Sequence, residues 1–235
     1  MNFRPQAFSF LPPVIKNLLI INGLAFFAAI IFGRMGMNLL GIFGLYIPQS
    51  EFFQPYQLVT HLFFHDISNF GHILGNMFAL WMFGTPLENL WGSRKFFTYY
   101  FITGLGAATI HLGVNMFEYF SFMNSFNISG IESYALSGQR LLWTPTVGAS
   151  GAVFGLLLGY GMTYPNQKIY LYFLMPIRAK YFVAFYGLFE LFNGFTNSAS
   201  NIAHFAHIGG MLFGIILIKY WNCLLYTSDA ADELC

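Results

Sequence analysis

The chain has 235 residues, of which 57% are hydrophobic and only 8% are charged. Soluble domains usually carry about 25% charged residues, so this composition indicates a membrane protein. The formal net charge of +1 gives no electrostatic basis for binding nucleic acid, and we expect no such partner. Because a membrane helix needs about 20 residues, the length allows roughly six spans with their loops and excludes a separate soluble domain.

The apolar runs predict an all-α membrane protein with six transmembrane helices. A short N-terminal segment, residues 1–13, precedes the first run and lacks the features of a cleavable signal peptide. The predicted spans are residues 14–33, 69–87, 95–117, 146–164, 179–194 and 201–221. The long segment 34–68 is rich in aromatic residues and broken by glycine and proline, which predicts an interfacial first loop with short helices lying on the membrane.

The last 13 residues differ in character from the rest of the chain. They contain three of the nine acidic residues, and residues 223–233 resemble a translated sequencing-library adapter. We therefore expect a membrane domain over residues 14–222 and a non-native tail over residues 223–235. The two cysteines, Cys223 and Cys235, lie in this tail and have no metal-binding spacing.

Lysine and arginine predict the orientation, because they accumulate on the cytoplasmic side of membrane proteins. With the N-terminus inside, the outer side receives only Arg34 and Arg140. The inner side receives eight basic residues: Arg4, Lys16, Arg94, Lys95, Lys168, Arg178, Lys180 and Lys219. This bias predicts that both termini are cytoplasmic.

That topology brings four polar residues to a common depth. The second, fourth and sixth spans all run from outside to inside, and His72, Asn76, Ser150 and His207 lie near their starts. With a rise of about 1.5 Å per residue, all four should lie within about ten ångströms of the outer surface. Polar and ionisable residues inside a membrane are costly, which makes them candidates for function.

Ser150 is the candidate nucleophile. At the first turn of a helix, free backbone N–H groups and the positive end of the helix dipole can stabilise an oxyanion. Gly148 and Gly151 leave room for a substrate backbone. The alternative is that Gly-Ala-Ser-Gly only supports close helix packing, which uses the same small residues.

His207 is the candidate base, and the glycines near it support the pairing. Gly210 and Gly214, which are four residues apart, follow His207. Gly151 and Gly155, also four residues apart, follow Ser150. Small residues at this spacing let two helices approach closely, which a direct hydrogen bond between serine and histidine requires. Taken alone, His207 is better explained as a polar residue bonded to another helix.

The oxyanion-hole candidates are His72 and Asn76, which share one helix face and can both donate hydrogen bonds. Neither the loop residue Asp66 nor Glu190 in the fifth span is an evident third catalytic member. We expect a structural hydrogen bond for Glu190 and a Ser–His dyad without a carboxylate.

Other histidines allow an alternative. His204 precedes His207 by three residues, and with His72 the two could form a three-histidine metal site. The sequence lacks His-Glu-x-x-His and nearby acidic ligands, so we expect no metal and no cofactor. The remaining histidines are interpreted as interfacial or structural: His61, His65 and His111.

From about residue 12 to residue 221, the sequence resembles the rhomboid intramembrane serine proteases of the bacterial type. The matching motifs are His72-x-x-x-Asn76, Gly148-x-Ser150-Gly151, and the stretch from Ala203 to Gly214 that contains His207, Gly209 and Gly210. One departure is Tyr56-Gln57, where many members carry Trp-Arg in the first loop.

The resemblance implies that Ser150 is the nucleophile and His207 the general base. It also implies an oxyanion hole made by His72, Asn76 and the Ser150 N–H, and an aromatic ring, Phe154, stacked on the histidine. Such an enzyme would cleave transmembrane segments of membrane proteins near the outer face, in a bacterial inner membrane. The competing functions are a non-catalytic membrane protein that captures client helices, and a metal transporter or metallohydrolase.

Overall fold

The fold is known from a computed structural model, which describes residues 8–129, 132–171, 175–196 and 201–232. Helices dominate the described residues. In chain order they are α1 (Pro13–Arg34), α2 (Leu39–Phe43), α3 (Gln57–Thr60), α4 (Phe70–Trp91), α5 (Ser93–Ser129), α6 (Glu132–Trp143), α7 (Ser150–Thr163), α8 (Ala179–Thr196) and α9 (Asn201–Asp232). A 3-10 turn, His61–Phe63, follows α3 directly.

One long or central helix overlaps each predicted span: α1, α4, α5, α7, α8 and α9. Judged only by length, mean hydropathy and charge, α1 is the one described helix that qualifies by itself as a membrane span, with a mean hydropathy of 2.1. The apolar α7 is shorter than such a span. The all-helical prediction is therefore confirmed in its main lines, and the number of membrane crossings stays a prediction.

The helices differ from the predicted spans in several details, and α9 also continues to Asp232, 11 residues beyond the predicted end at 221. First, α7 begins at Ser150 and not at residue 146, because residues 144–149 are not helical and Thr146 forms an isolated β-bridge with Leu45. Second, α5 continues 12 residues beyond the predicted end at 117, and α6 packs against this extension, with Gly138 against Met123. Third, a two-stranded antiparallel hairpin, β1 (Lys168–Leu171) and β2 (Met175–Arg178), joins α7 to α8.

The core surrounds α7, which contacts α4, α5, α8 and α9. Most side chains of α7 are buried, and Leu156 is completely inaccessible. From α5, Tyr99 donates a hydrogen bond to the carbonyl oxygen of Gly155 at 2.9 Å. This helix is thus fixed on several sides, which gives Ser150 at its first residue a rigid support.

A buried carboxylate joins α1 to α4. Glu88 is 2% exposed and accepts hydrogen bonds from the backbone N–H groups of Val14 and Ile15, both at 2.9 Å. It also accepts one from the Ser93 hydroxyl at 2.6 Å. The first N–H groups of a helix have no partner within it, so Glu88 supplies partners and a favourable charge to the start of α1.

The segment between α1 and α4 contains the predicted short helices, α2 and α3. Its centre is Gln57, which is 1% exposed. The Gln57 amide donates to the carbonyls of Ile42 and Phe52, and its oxygen accepts from the N–H groups of Tyr46 and Gln54. A neutral glutamine, at the position where the resemblance leads to an expected arginine, therefore binds four backbone groups of this loop.

Candidate active site

Two helices bring the candidate nucleophile and base together. Ser150 is the first residue of α7, and His207 lies in the second turn of α9. The Ser150 Oγ lies 2.9 Å from His207 Nε2, which is a direct hydrogen bond. The pairing proposed from the two separate motifs is therefore present in the structure.

Glycine allows this approach at the α7–α9 contact. A Cβ atom on Gly210 would overlap the carbonyl oxygen of Gly151, so neither helix could come this close with a larger residue at position 210. A Cβ on Gly151 would meet Ala107 of α5, and a Cβ on Gly214 would meet the Tyr99 hydroxyl. The glycines predicted to support helix approach thus lie at crowded contacts: Gly210 faces the backbone of α7, and Gly151 and Gly214 face side chains of α5.

Phe154, one turn after Ser150, covers one face of the His207 ring. The ring centroids are 4.1 Å apart and the planes differ by 7°, which is a stacked arrangement. Stacking restricts the imidazole to one plane, in which its Nε2 points at the serine.

The other ring nitrogen of His207 bonds to a carboxylate that the sequence interpretation gave only a structural role. His207 Nδ1 lies 2.9 Å from Glu190 Oε2, and His204 Nδ1 lies 2.7 Å from the same oxygen. An ionised carboxylate only accepts hydrogen bonds, so Nδ1 of His207 carries its proton and Nε2 is free to accept from Ser150. The hydrogen bond expected for Glu190 is therefore present, but its partner is His207 itself, so the expected Ser–His pair has a carboxylate beside it.

A signal in the sequence could have identified Glu190. Gly187, Glu190 and Gly194 have i, i+3, i+7 spacing and therefore share one helix face. In the structure Gly187 packs on Met211 and Gly194 on Phe205, both from α9. The small-residue face of α8 thus turns Glu190 toward the histidines.

The oxyanion-hole candidates line the same cavity as Ser150. His72 lies beside Gly148, since a Cβ on that glycine would stand 3.1 Å from His72 Nε2. The Asn76 amide donates to the His72 carbonyl at 2.8 Å, which leaves its second hydrogen for another acceptor. His72, Asn76, Ser150 and His207 all line this cavity of about 470 Å³.

The loop before Ser150 depends on Gly148 and on contacts with the first loop. Gly148 has φ +131°, a conformation that favours glycine, and its N–H donates to the His61 carbonyl at 2.9 Å. Leu45 and Thr146 exchange two backbone hydrogen bonds. The structural interpretation of His61 fits this arrangement.

The other two histidines interpreted as structural are also buried. His65 is fully buried and its ring contacts that of His72, with 5.2 Å between centroids. His111 lines the cavity and bonds to the Thr146 hydroxyl at 2.6 Å.

The residues that could together bind one metal ion are not the three histidines considered from the sequence. The described residues whose ligand atoms lie close enough for one ion are Glu190, His204 and His207, without His72. The expectation that acidic ligands are missing near His207 is therefore wrong. In this structure the two imidazoles use the carboxylate oxygen as a hydrogen-bond acceptor, which accounts for the cluster without an ion.

Comparison with known proteins gives the family. A model of the rhomboid domain matches residues 53–221. Rhomboid protein 1, mitochondrial, of Saccharomyces cerevisiae is 27% identical over 207 residues, which cover 80% of this chain and 51% of that protein. RHOMBOID-like protein 12, mitochondrial, of Arabidopsis thaliana is 31% identical over 157 residues, 65% of this chain and 42% of that protein.

A bacterial relative also matches. The Rhomboid protease GluP of Bacillus subtilis is 29% identical over 170 residues, 72% of this chain and 26% of that protein. The chain thus spans about half of the yeast relative's length and less of the other two. Since these relatives include mitochondrial and bacterial proteins, the bacterial type and the bacterial inner membrane stay predictions.

The fold and the site together define a helical protein with a serine and a histidine hydrogen-bonded across two closely packed helices beside a cavity. The chain belongs to the rhomboid family, a family of integral membrane proteins that are typically intramembrane serine proteases.

Proposed function

We propose that this protein is an active intramembrane serine endopeptidase with Ser150 as nucleophile and His207 as general base. The observation that carries the proposal is the 2.9 Å hydrogen bond between Ser150 Oγ and His207 Nε2. Family membership alone does not carry it, because some rhomboid proteins are inactive. Here both residues are present and in contact.

The geometry supports the following mechanism. As Ser150 Oγ attacks the substrate carbonyl carbon, His207 Nε2 accepts the hydroxyl proton, and a tetrahedral intermediate with a negatively charged oxygen forms. The backbone N–H of Ser150, at the first residue of α7, is free to donate to that oxygen, together with His72 and Asn76. His207 then gives its proton to the leaving amine, and water releases the acyl group.

The substrate proposed for this site is a transmembrane segment of another membrane protein. Its helix must unwind locally, because an intact helix shields its own peptide bonds, so segments with helix-breaking residues near the boundary are preferred. Lysine and arginine on the predicted inner side orient the cavity toward the outer face of the membrane.

A serine-reactive fluorophosphonate separates this function from a non-catalytic role in client binding. Purified wild-type protein should be labelled, and Ser150→Ala and His207→Ala should lose both labelling and cleavage of a model transmembrane substrate while still inserting into membranes. Full cleavage by either variant would refute the assignment. Loss of activity on chelation would instead favour metal chemistry.

A further inference from the structure

We propose that Glu190 is a positioning residue for His207 and that His204, by binding the same carboxylate oxygen, sets how strongly Glu190 acts. This inference rests on the proposed serine protease function and deepens it from a pair of residues to a chain of four: Ser150, His207, Glu190 and His204. The observation is the placement of two imidazole Nδ1 atoms at 2.7 Å and 2.9 Å from one oxygen, Glu190 Oε2.

The hydrogen bond that Glu190 accepts from His207 has two effects on the histidine. It keeps the proton of the neutral ring on Nδ1, so that Nε2 can accept from Ser150. It also places a negative charge beside the imidazolium that forms when Ser150 is deprotonated, which stabilises that state. The Glu190 side chain is only 7% exposed, so water screens this interaction weakly.

His204 limits the same effect. Its Nδ1–H donates to the oxygen that His207 uses, and both rings are largely buried, with 18% and 17% of their side chains exposed. A second donor draws negative charge from that oxygen, so the carboxylate stabilises the His207 cation less than it would alone. The shared oxygen therefore couples the basicity of His207 to a residue that does not touch Ser150 in the structure.

Few other ionisable groups face His207 among the described residues. His61 from the 3-10 turn, His72 from α4 and His111 from α5 line the same cavity, and α7 contributes Ser150 and the neutral Phe154. In the described part of the chain no carboxylate lines this cavity, and Glu190 is the carboxylate that bonds to His207. A change in the pH dependence of cleavage that follows substitution of Glu190 or His204 therefore reports on this chain of residues.

The test is the pH profile of kcat/KM for a model transmembrane substrate in detergent, since that profile reports ionisations of the free enzyme. Glu190→Gln keeps a hydrogen-bond acceptor beside His207 but removes the negative charge, and we expect kcat to fall at least tenfold. We also expect the acid limb of the profile, where cleavage falls as the pH drops, to move to lower pH. Glu190→Asp should restore the position of that limb and part of kcat. His204→Ala should move the limb the opposite way, to higher pH.

Glu118→Gln on α5 is the control, because it replaces a half-buried carboxylate that is not hydrogen-bonded to Ser150, His207, Glu190 or His204, and it should leave the profile unchanged. Thermal unfolding of each variant separates loss of fold from loss of chemistry, and His204→Ala with Glu190→Asp carry the test if Glu190→Gln does not fold. Unmoved acid limbs in these folded variants would overturn the inference. Absence of Ser150-dependent activity in the wild type would instead refute the proposed function itself.

Discussion

Gly151 and Gly210 meet backbone to backbone where α7 crosses α9, and a Cβ on Gly210 would occupy the position of the Gly151 carbonyl oxygen. A flexible side chain could move away from an added methyl group, whereas the main chain of a packed helix can do so only by separating the two helices. The same separation would stretch the Ser150–His207 hydrogen bond. The geometry of the candidate active site therefore requires glycine at position 210.

Gly210→Ala should therefore reduce both stability and activity. Overpacking a tight core costs about 1–3 kcal/mol or more, and the added atom here meets backbone. Differential scanning fluorimetry in detergent, together with the cleavage rate, measures both effects. Gly23→Ala in α1 is the control, since its Cβ would meet nothing within 4 Å, and it should leave both quantities unchanged or raise stability. Equal behaviour of the two variants would contradict this explanation.

Asn76→Ala should slow cleavage and leave the fold intact. Loss of one oxyanion-hole amide costs about 2.7–4 kcal/mol in transition-state stabilisation, a value known from another serine protease and used here by analogy. Fluorophosphonate labelling and substrate cleavage at saturating substrate give the loss in kcat. A fall in cleavage of less than threefold would remove Asn76 from the proposed hole.

Glu88→Gln should destabilise the protein without changing the chemistry. A glutamine offers one acceptor oxygen, so one of the N–H groups of Val14 and Ile15 loses its partner. Leaving a buried donor unpaired costs about 1–3 kcal/mol. Thermal unfolding of Glu88→Gln should show this loss, and the exposed Glu51→Gln should not. Equal melting temperatures for the two variants would mean that Glu88 does not stabilise the start of α1.

Stability should fall as the pH drops below about 6.5, because burial lowers the pKa of His65 to about 4 and that of His61 to about 4. Between about pH 6.5 and about pH 4 the two histidines bind protons in the unfolded chain but not in the folded chain. Lowering the pH in this range therefore favours unfolding by up to about 1.4 kcal/mol per pH unit for each histidine. Above pH 6.5 the effect vanishes.

His65→Leu tests this, because neither ring nitrogen of His65 has a hydrogen-bond partner among the described residues and no bond is lost. Unfolding in detergent at pH 5 and pH 7 should show a smaller difference for the variant than for the wild type. An identical difference for both proteins would show that His65 does not titrate on unfolding.

The sequence predicted those parts of the site that depend on pattern. Glycine spacing and a common depth were enough to pair Ser150 with His207, because closely packed helices carry small residues at a regular spacing in the sequence. The contact between Glu190 and His207 was not predicted, because Glu190 was judged as a single polar residue and the glycine face of α8 that turns it toward α9 was not considered. The role of Gln57 was also not predicted, because its four partners are backbone groups and the sequence does not indicate which backbone groups lie nearby.

The 14 residues of α7 have a further consequence. At about 1.5 Å per residue this helix is about 21 Å long, whereas the hydrocarbon core of a bilayer is about 30 Å thick. A nucleophile at the end of a full-length span would lie among lipid headgroups, where soluble proteins compete for it. On a helix that stops short, we expect the Ser150 hydroxyl to lie below the membrane surface, so in the proposed protease the length of α7 would set which peptide bonds can be reached.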